Sequence, residues 1–266
     1  MTRIVSGHQP SYLPWLGLLH KASLCDDFVF MDDVQFLRRD WNHRNRVKGP
    51  DGEVLLTVPV TLPNGSRTTL KDTRVAETKE GGSQDWQSSH WKSLSLFLGK
   101  APYWDEHAPF LERFYMERRW RWLAELCLEQ LTYFLAAFGL KPRVLVGSEQ
   151  GFSGYKSDLV LEHAQRTKAD TCVTGRQGVN YIDTDAFSRA GVALYFQDYA
   201  HPTYPQRFGP FLPMMCALDL LCNTGPDARV ILSRGNVNRA DLDRVRATQG
   251  ATVLTTIASL DEKSIP

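Results

Sequence analysis

Residues 4–31 constrain the fold more than any other stretch of this chain. Ile4 and Val5 are a short apolar run that ends at Gly7. Pro10 and Pro14 punctuate a turn-like stretch, and Leu16, Leu18, Leu19, Ala22 and Leu24 then recur as a helix would place them. Asp26 and Asp27 end that helix, and Phe28-Val29-Phe30-Met31 reads as a buried strand. A strand, a helix and a second strand in so few residues imply a crossover, so the strands are expected to lie parallel in a βαβ unit. Ligands of open α/β sheets bind outside the carboxyl ends of strands. Gly7 to Tyr12 and Asp32 to Gln35 are therefore expected to converge on one crevice.

The remainder of the chain alternates in the same manner. Trp41 to Lys48, the turn Gly49 to Gly52 and the run Val54 to Val60 predict an antiparallel hairpin with basic residues on its first arm. Residues 62–84 are polar, with a Pro-Asn-Gly-Ser turn and a Gly-Gly pair, and are expected to be irregular or short strands. Trp86, His90, Leu94, Phe97 and Leu98 are spaced for a helix that Pro102 breaks. After Pro109 and Phe110 a long helix is expected up to Gly139, placed as a C-terminal cap. Strands are predicted at 144–146, 171–174 and 192–196, and helices at 156–168, 183–190 and 212–222.

The expected fold is α/β: a parallel Rossmann-like sheet with an N-terminal βαβ unit, an antiparallel hairpin excursion and an added helical region. Residues 1–235 read as a single catalytic domain with a helical insertion around 85–140. Residues 236–266 read as a peripheral C-terminal segment with a loosely held end.

A net charge of +1 over 266 residues gives no general steering toward nucleic acid or membrane. The five cysteines form no close pair of the zinc type and are expected in the core. No apolar run is long enough to span a bilayer. With no signal peptide recognised, the expectation is a cytoplasmic protein without a membrane partner.

The opening segment carries the densest chemistry: His8 and Gln9 at a strand end, Tyr12 and Trp15 beside them, and Lys21 on the following helix. A histidine so placed can act as acid or base. Asp32 and Asp33 can bind Mg²⁺ with a nucleotide, or Asp33 can deprotonate an amine. Arg44 and Arg46, flanking Asn45 on alternating strand positions, share one face that suits phosphate or carboxylate. Arg38, Arg39 and Lys48 lie nearby, and Trp41 and His43 keep a nucleic-acid reading open. Gly175 and Gly178 with Tyr181 follow a strand and can contact phosphate, although neither a P-loop nor a dinucleotide fingerprint is complete. His201, Tyr204 and Gln206 form a last cluster, with Asp219 and Asn223 four apart on one helix face. An Asp amid apolar residues must be paired or exposed. It either orients a histidine or buttresses the preceding loop. No metal motif, no Gly-x-Ser-x-Gly elbow and no cysteine with a histidine partner is present.

These residues resemble the WbqC-like proteins. The matching runs are Gly7-His8-Gln9-Pro10, Tyr12-Leu13-Pro14-Trp15, Gly17 and Lys21, then Asp32-Asp33-Val34-Gln35-Phe36 and Trp41 to Arg46. Further matches are Leu56 to Val60, Lys100-Ala101-Pro102-Tyr103, Thr174-Gly175 with Gly178 and Tyr181, His201-Pro202 with Tyr204 and Gln206, and Asp219 to Asn223 with Gly225. The resemblance implies transfer of a glycyl, other aminoacyl or related acyl group to an amine of a small molecule. An amino-sugar or a natural-product intermediate of bacterial biosynthesis is the implied acceptor. Partners would be that amine and an activated donor, carried on a carrier protein or a tRNA. A second, fainter resemblance is to nucleotidylyltransferases and adenylate-forming ligases with a His-x-Gly-His motif. Trp15 and Leu18 stand where their histidines would be. An ATP-dependent ligase or nucleotidyltransferase-like enzyme with Mg-ATP as cofactor is one alternative, and a non-catalytic RNA- or tRNA-binding module is another.

Overall fold

Alternation along the first strand sets the two faces of the molecule. The computed structural model describes residues 2–76 and 85–254. The Gly81-Gly82 pair and the tail 255–266 lie outside them. In chain order the first elements are β1 (Ile4–His8), α1 (Leu16–Ser23), β2 (Asp27–Phe30), β3 (Arg44–Gly49), β4 (Gly52–Thr57), β5 (Val60–Thr61) and β6 (Arg74–Val75). Helices α2 (Trp86–Leu98), α3 (Trp104–Glu112) and α4 (Leu123–Ala137) follow. Then come β7 (Arg143–Val146), α5 (Gly147–Gln150), α6 (Ser157–Thr167), β8 (Thr171–Gly175), α7 (Thr184–Arg189) and β9 (Ala193–Gln197). The last helices are α8 (Ala217–Thr224), α9 (Ala228–Ser233) and α10 (Arg239–Gln249).

Five strands pair side by side in the order β7-β2-β1-β8-β9, every pairing parallel. The expected βαβ unit is present as β1-α1-β2. Val5, Val29, Cys172 and Leu194 face Ala164 of α6 and Phe187 of α7. Ile4, Val173, Ala193 and Tyr195 face the other way, toward Leu24, Cys25, Leu242 and Leu254. Phe28 and Phe30 point to that second side as well and join the largest cluster, which takes in α1, the hairpin and the helical region. Side chains alternate across a strand, so both faces of these strands are apolar because both are covered. The five cysteines are free and buried, as expected.

The hairpin β3–β4 is antiparallel with Gly49 opposite Gly52 at its turn. A second small antiparallel pair, β5–β6, lies in the polar stretch. The expected long helix after Pro109 is instead two helices. Pro109 lies inside α3, a π-helical turn spans Arg113–Glu117, and Arg118 turns extended at φ −97° and ψ 149°. The interruption has a cause in pairing. Val75 donates to the Arg121 carbonyl (2.9 Å) and Leu123 to that of Thr73 (3.0 Å), so this piece of chain is held as an edge against β6. At the far end of α4, Gly139 adopts φ +62°, and Leu140 donates back to the Leu135 carbonyl at 2.8 Å. That is the glycine-capped ending the sequence predicts. The helix expected from Leu212 begins only at Ala217, because Cys216 donates to the Arg46 carbonyl (3.0 Å) and bridges Trp15. Among the described residues no helix is long and apolar enough to cross a membrane.

Candidate active site

The chain runs from β1 to β2 to β7 in one direction across the sheet, then returns to β8 and β9 on the other side of β1. The reversal lies between β1 and β8, and ligands of such sheets bind outside the carboxyl ends of the strands at that point. His8 closes β1 and Gly175 closes β8.

His8 shares the parity of Ile4 and Ser6, so it lies on the α1 side of the sheet. From α1, the buried Lys21 donates its Nζ to the Gly7 carbonyl at 2.9 Å. The two groups feel each other. Desolvation first, and the Lys21 cation second, push the His8 imidazole down to about 3. Desolvation also lowers the Lys21 amine to about 8, against the raising influence of the Cys25 and Cys172 thiols. His8 Nδ1 lies 2.7 Å from the Gln9 carbonyl oxygen. A carbonyl can only accept, so Nδ1 carries the proton and Nε2 of the neutral ring is a bare acceptor. On the opposite face at Gly7 sit Met31 and the His163 ring. Burial lowers His163 to about 4.

The Gln9–Trp15 segment is anchored from several sides. Asn42, buried, donates to Gln9 Oε1 (3.2 Å) and to the Pro10 carbonyl (2.9 Å). Asn45 donates to the Leu13 carbonyl (2.5 Å), and Gln130 Oε1 accepts from the Leu13 amide (2.7 Å). Leu13 itself holds φ +44°, a conformation this fixing sustains. Tyr12 was expected at substrate. It is fully buried, with its hydroxyl hydrogen-bonded to His90 Nδ1 (2.7 Å) and to the Tyr115 hydroxyl. Tyr12 and Asn45 therefore hold the segment's shape and do not face an opening. The Trp15 ring lies against Gly17, where an added Cβ would fall 2.1 Å from it. Neither Asn42, inside the Trp41 to Arg46 run, nor Gln130, a polar residue amid the apolar face of α4, is among the candidate site residues read from the sequence.

The two aspartates divide their duties. Asp32 is buried, and its carboxylate accepts from the Ser148 amide (2.8 Å) and hydroxyl (2.7 Å), fastening α5 to the end of β2. Both oxygens thus accept from Ser148. Asp33 lies beside Gly147, and burial raises its carboxyl above the usual range. On the other side of β1, Gly178 packs against Thr174 with no room for a Cβ, and the space beside Gly175 is open. Tyr181 is exposed, and partial burial of its ring raises its hydroxyl above the usual tyrosine value.

The remaining candidates lie elsewhere. Arg44 and Arg46 do share a face, but they stack on the Trp41 ring (5.3 and 4.7 Å), and Arg46 also pairs with Glu53 (3.2 Å). No described contact joins either to His8 or Lys21. Asp219, almost fully buried, accepts from the Tyr204 hydroxyl (2.9 Å) and Gln206 Nε2 (2.7 Å). Asn223 donates to its backbone carbonyl at 2.7 Å, and Lys48 donates to Gln206 Oε1 at 3.2 Å. Asp219 thereby buttresses the preceding loop, and it does not orient His201, whose Nδ1 lies 3.1 Å from the Pro202 carbonyl. Among the described residues no three His, Cys, Asp or Glu side chains converge as a metal-binding group.

A sequence model of the WbqC-like protein family matches residues 9–231. This chain belongs to that family. It is also 28% identical, over 221 residues, to a Mycobacterium tuberculosis protein named as uncharacterized protein Rv1507c. That alignment covers 83% of this chain and 93% of its relative. No solved structure matches the chain. The family match spans Gln9, Lys21, the Asp32-Asp33 pair and the hairpin arginines, and begins one residue after His8.

Proposed function

We propose that this WbqC-like protein is an enzyme that transfers an acyl group, such as glycyl or another aminoacyl group, to an amine of a small molecule. The observation that carries the reading is the neutral His8 imidazole at the end of the central strand. Its proton is fixed on Nδ1 by the Gln9 carbonyl, and its Nε2 lone pair is left unprotonated. In amide formation the amine nitrogen bonds to the acyl carbon and loses a proton as the donor's leaving group departs. His8 Nε2 accepts that proton. Its basicity in the free protein is low, and it rises when negative charge develops nearby on the reacting acyl group. Lys21, with one of its protons spent on the Gly7 carbonyl, stabilises the oxyanion that forms on the acyl oxygen. Asp33, whose raised carboxyl marks a desolvated site, is the second candidate for the base.

The ATP-using alternative finds support in the sheet reversal beside β1, a position that suits nucleotides. Each Asp32 oxygen already accepts a hydrogen bond from Ser148, which ties this carboxylate to α5 and leaves one lone pair on each oxygen for a magnesium ion. The experiment is product detection by mass spectrometry, with amine acceptors offered an activated aminoacyl thioester or ester in one arm and free amino acids with ATP in another. The expected product is the acceptor plus an amino acid less water, formed from the activated donor by the native chain and lost in His8→Ala. Unchanged turnover in His8→Ala would remove His8 from the chemistry. A product that forms only from free amino acid with ATP, or one that carries a nucleotide, would favour the alternative.

A further inference from the structure

Between the arm that leaves the sheet after β2 and the short strand β5 lies a cleft of about 410 Å³, lined by Phe36, Arg38, His43, Val60, Thr61 and Leu62. Two of its polar groups are unspent. His43 Nδ1 is buried without a hydrogen-bond partner. Arg38 is exposed, and no hydrogen bond or ion pair engages it among the described residues. A buried polar atom left unmatched costs about 1–3 kcal/mol, so its presence asks for a partner. The other walls are apolar: the Phe36 ring packs 5.2 Å from that of His43, with Val60 and Leu62 beside it.

Charge points the same way. Residues 34–76 carry eight Lys and Arg against four Asp and Glu, in a chain whose net charge is only +1. Most of the nearby cations are committed. Arg44 donates to the Arg39 carbonyl (2.8 Å) and stacks on Trp41, Arg46 pairs with Glu53, and Lys48 reaches the Pro210 carbonyl at 2.5 Å. Arg38 and Arg39 are both exposed with side chains that no described contact engages, and of the two it is Arg38 that lines the cleft.

We propose that this cleft binds an organic anion: a small molecule with a phosphate or carboxylate for Arg38, an N–H or O–H group for His43 Nδ1, and an apolar body against Phe36, Val60 and Leu62. Arginine matches either anion with two parallel hydrogen bonds. With its proton on Nε2, His43 offers Nδ1 as the acceptor. The chain next to the cleft is tied to the His8 segment, since Asn42, the residue before His43, donates to Gln9 Oε1 and the Pro10 carbonyl. The cleft thereby anchors the charged end of a transfer substrate, a role that rests on the transfer reading, whereas the binding itself does not.

Calorimetric titration of the full chain with 4-hydroxyphenyl phosphate, 3-(4-hydroxyphenyl)propionate, inorganic phosphate and phenol tests the site. At least one aryl anion is expected to saturate with a Kd of about 1 mM or below, and inorganic phosphate and phenol to bind about tenfold more weakly or worse. Whichever aryl anion wins identifies the charged group. Arg38→Gln, at an exposed position, and Thr61→Trp, which fills the cleft, should each weaken that binding by about tenfold or more, while His8→Ala retains it. Three results would overturn the proposal: neither aryl anion saturates, Arg38→Gln binds as the native chain does, or His8→Ala loses the binding. Failure here leaves the His8 turnover experiment untouched, and failure there leaves this site standing.

Discussion

Lowering the pH from about 7.5 to about 5.5 is expected to remove several kcal/mol of folding stability through histidines that burial holds neutral; four are shifted most, and His43, His107 and His201, lowered as well, add with the same sign. Burial pushes His8 down to about 3, and His20, His90 and His163 each to about 4. In the unfolded chain each titrates near about 6.5. Between those values the unfolded chain takes up a proton that the folded chain refuses, so stability rises with pH across that interval. The contribution is whole above the unfolded value and drains away as pH falls, until the folded imidazoles themselves protonate. One unit below the unfolded value each group has lost about 1.4 kcal/mol, which makes about 5–6 kcal/mol for the four. His8 is half-buried and contributes the least secure share. Asp33 and Asp219, both raised by burial, act with the opposite sign and trim the total. Against a typical domain stability of about 5–15 kcal/mol the loss is large.

Urea unfolding followed by tryptophan fluorescence, repeated at closely spaced pH values through that interval, measures it directly. Asp26 and Glu162 are lowered below the usual carboxylate range, so they do not imitate the effect. His163 packs its ring 4.5 Å from that of Phe152, and His163→Leu removes one of the four titrations. Its stability should fall with acid by about one proton less than that of the native chain. A stability that changes by less than about 1 kcal/mol over the whole interval would refute the claim that these imidazoles are held neutral.

Two further outcomes are expected. If Lys21 stabilises an oxyanion, kcat/KM for amide formation declines as pH rises through about 8, where its amine loses its proton, and the decline vanishes in Lys21→Met. Persistence of the same limb in Lys21→Met would assign it to another group. Gly17→Ala forces the Trp15 ring from its seat and should cost about 1–3 kcal/mol in urea unfolding, while an Ala substituted at the open Gly191 turn should not disturb Trp15 fluorescence.

What the sequence made legible, and what it hid, follows from the range of the forces involved. Local pattern sufficed for the βαβ unit, because the apolar run of β2 and the helical spacing of α1 lie within thirty residues of each other. It sufficed for the Gly139 cap and for the shared face of Arg44 and Arg46, both set by neighbours in the chain. It failed where a distant strand competed for the backbone. Nothing between residues 109 and 139 announces that Arg121 and Leu123 will hydrogen-bond to Val75 and Thr73 and split the helix. The same holds for Cys216, whose pairing with Arg46 and Trp15 delays α8. Side-chain roles were hidden for a related reason. Tyr12, Asp32 and Asp219 looked like chemistry because polar atoms in apolar text demand partners, and the demand is met from His90 and Tyr115, from Ser148, and from Tyr204 and Gln206. A polar residue in a core announces only that some partner exists, and the sequence does not say whether that partner is protein or substrate. His8 Nε2, His43 Nδ1, His201 Nε2 and Arg38 are among the groups for which no described hydrogen bond supplies a partner, and the search for substrate begins with them.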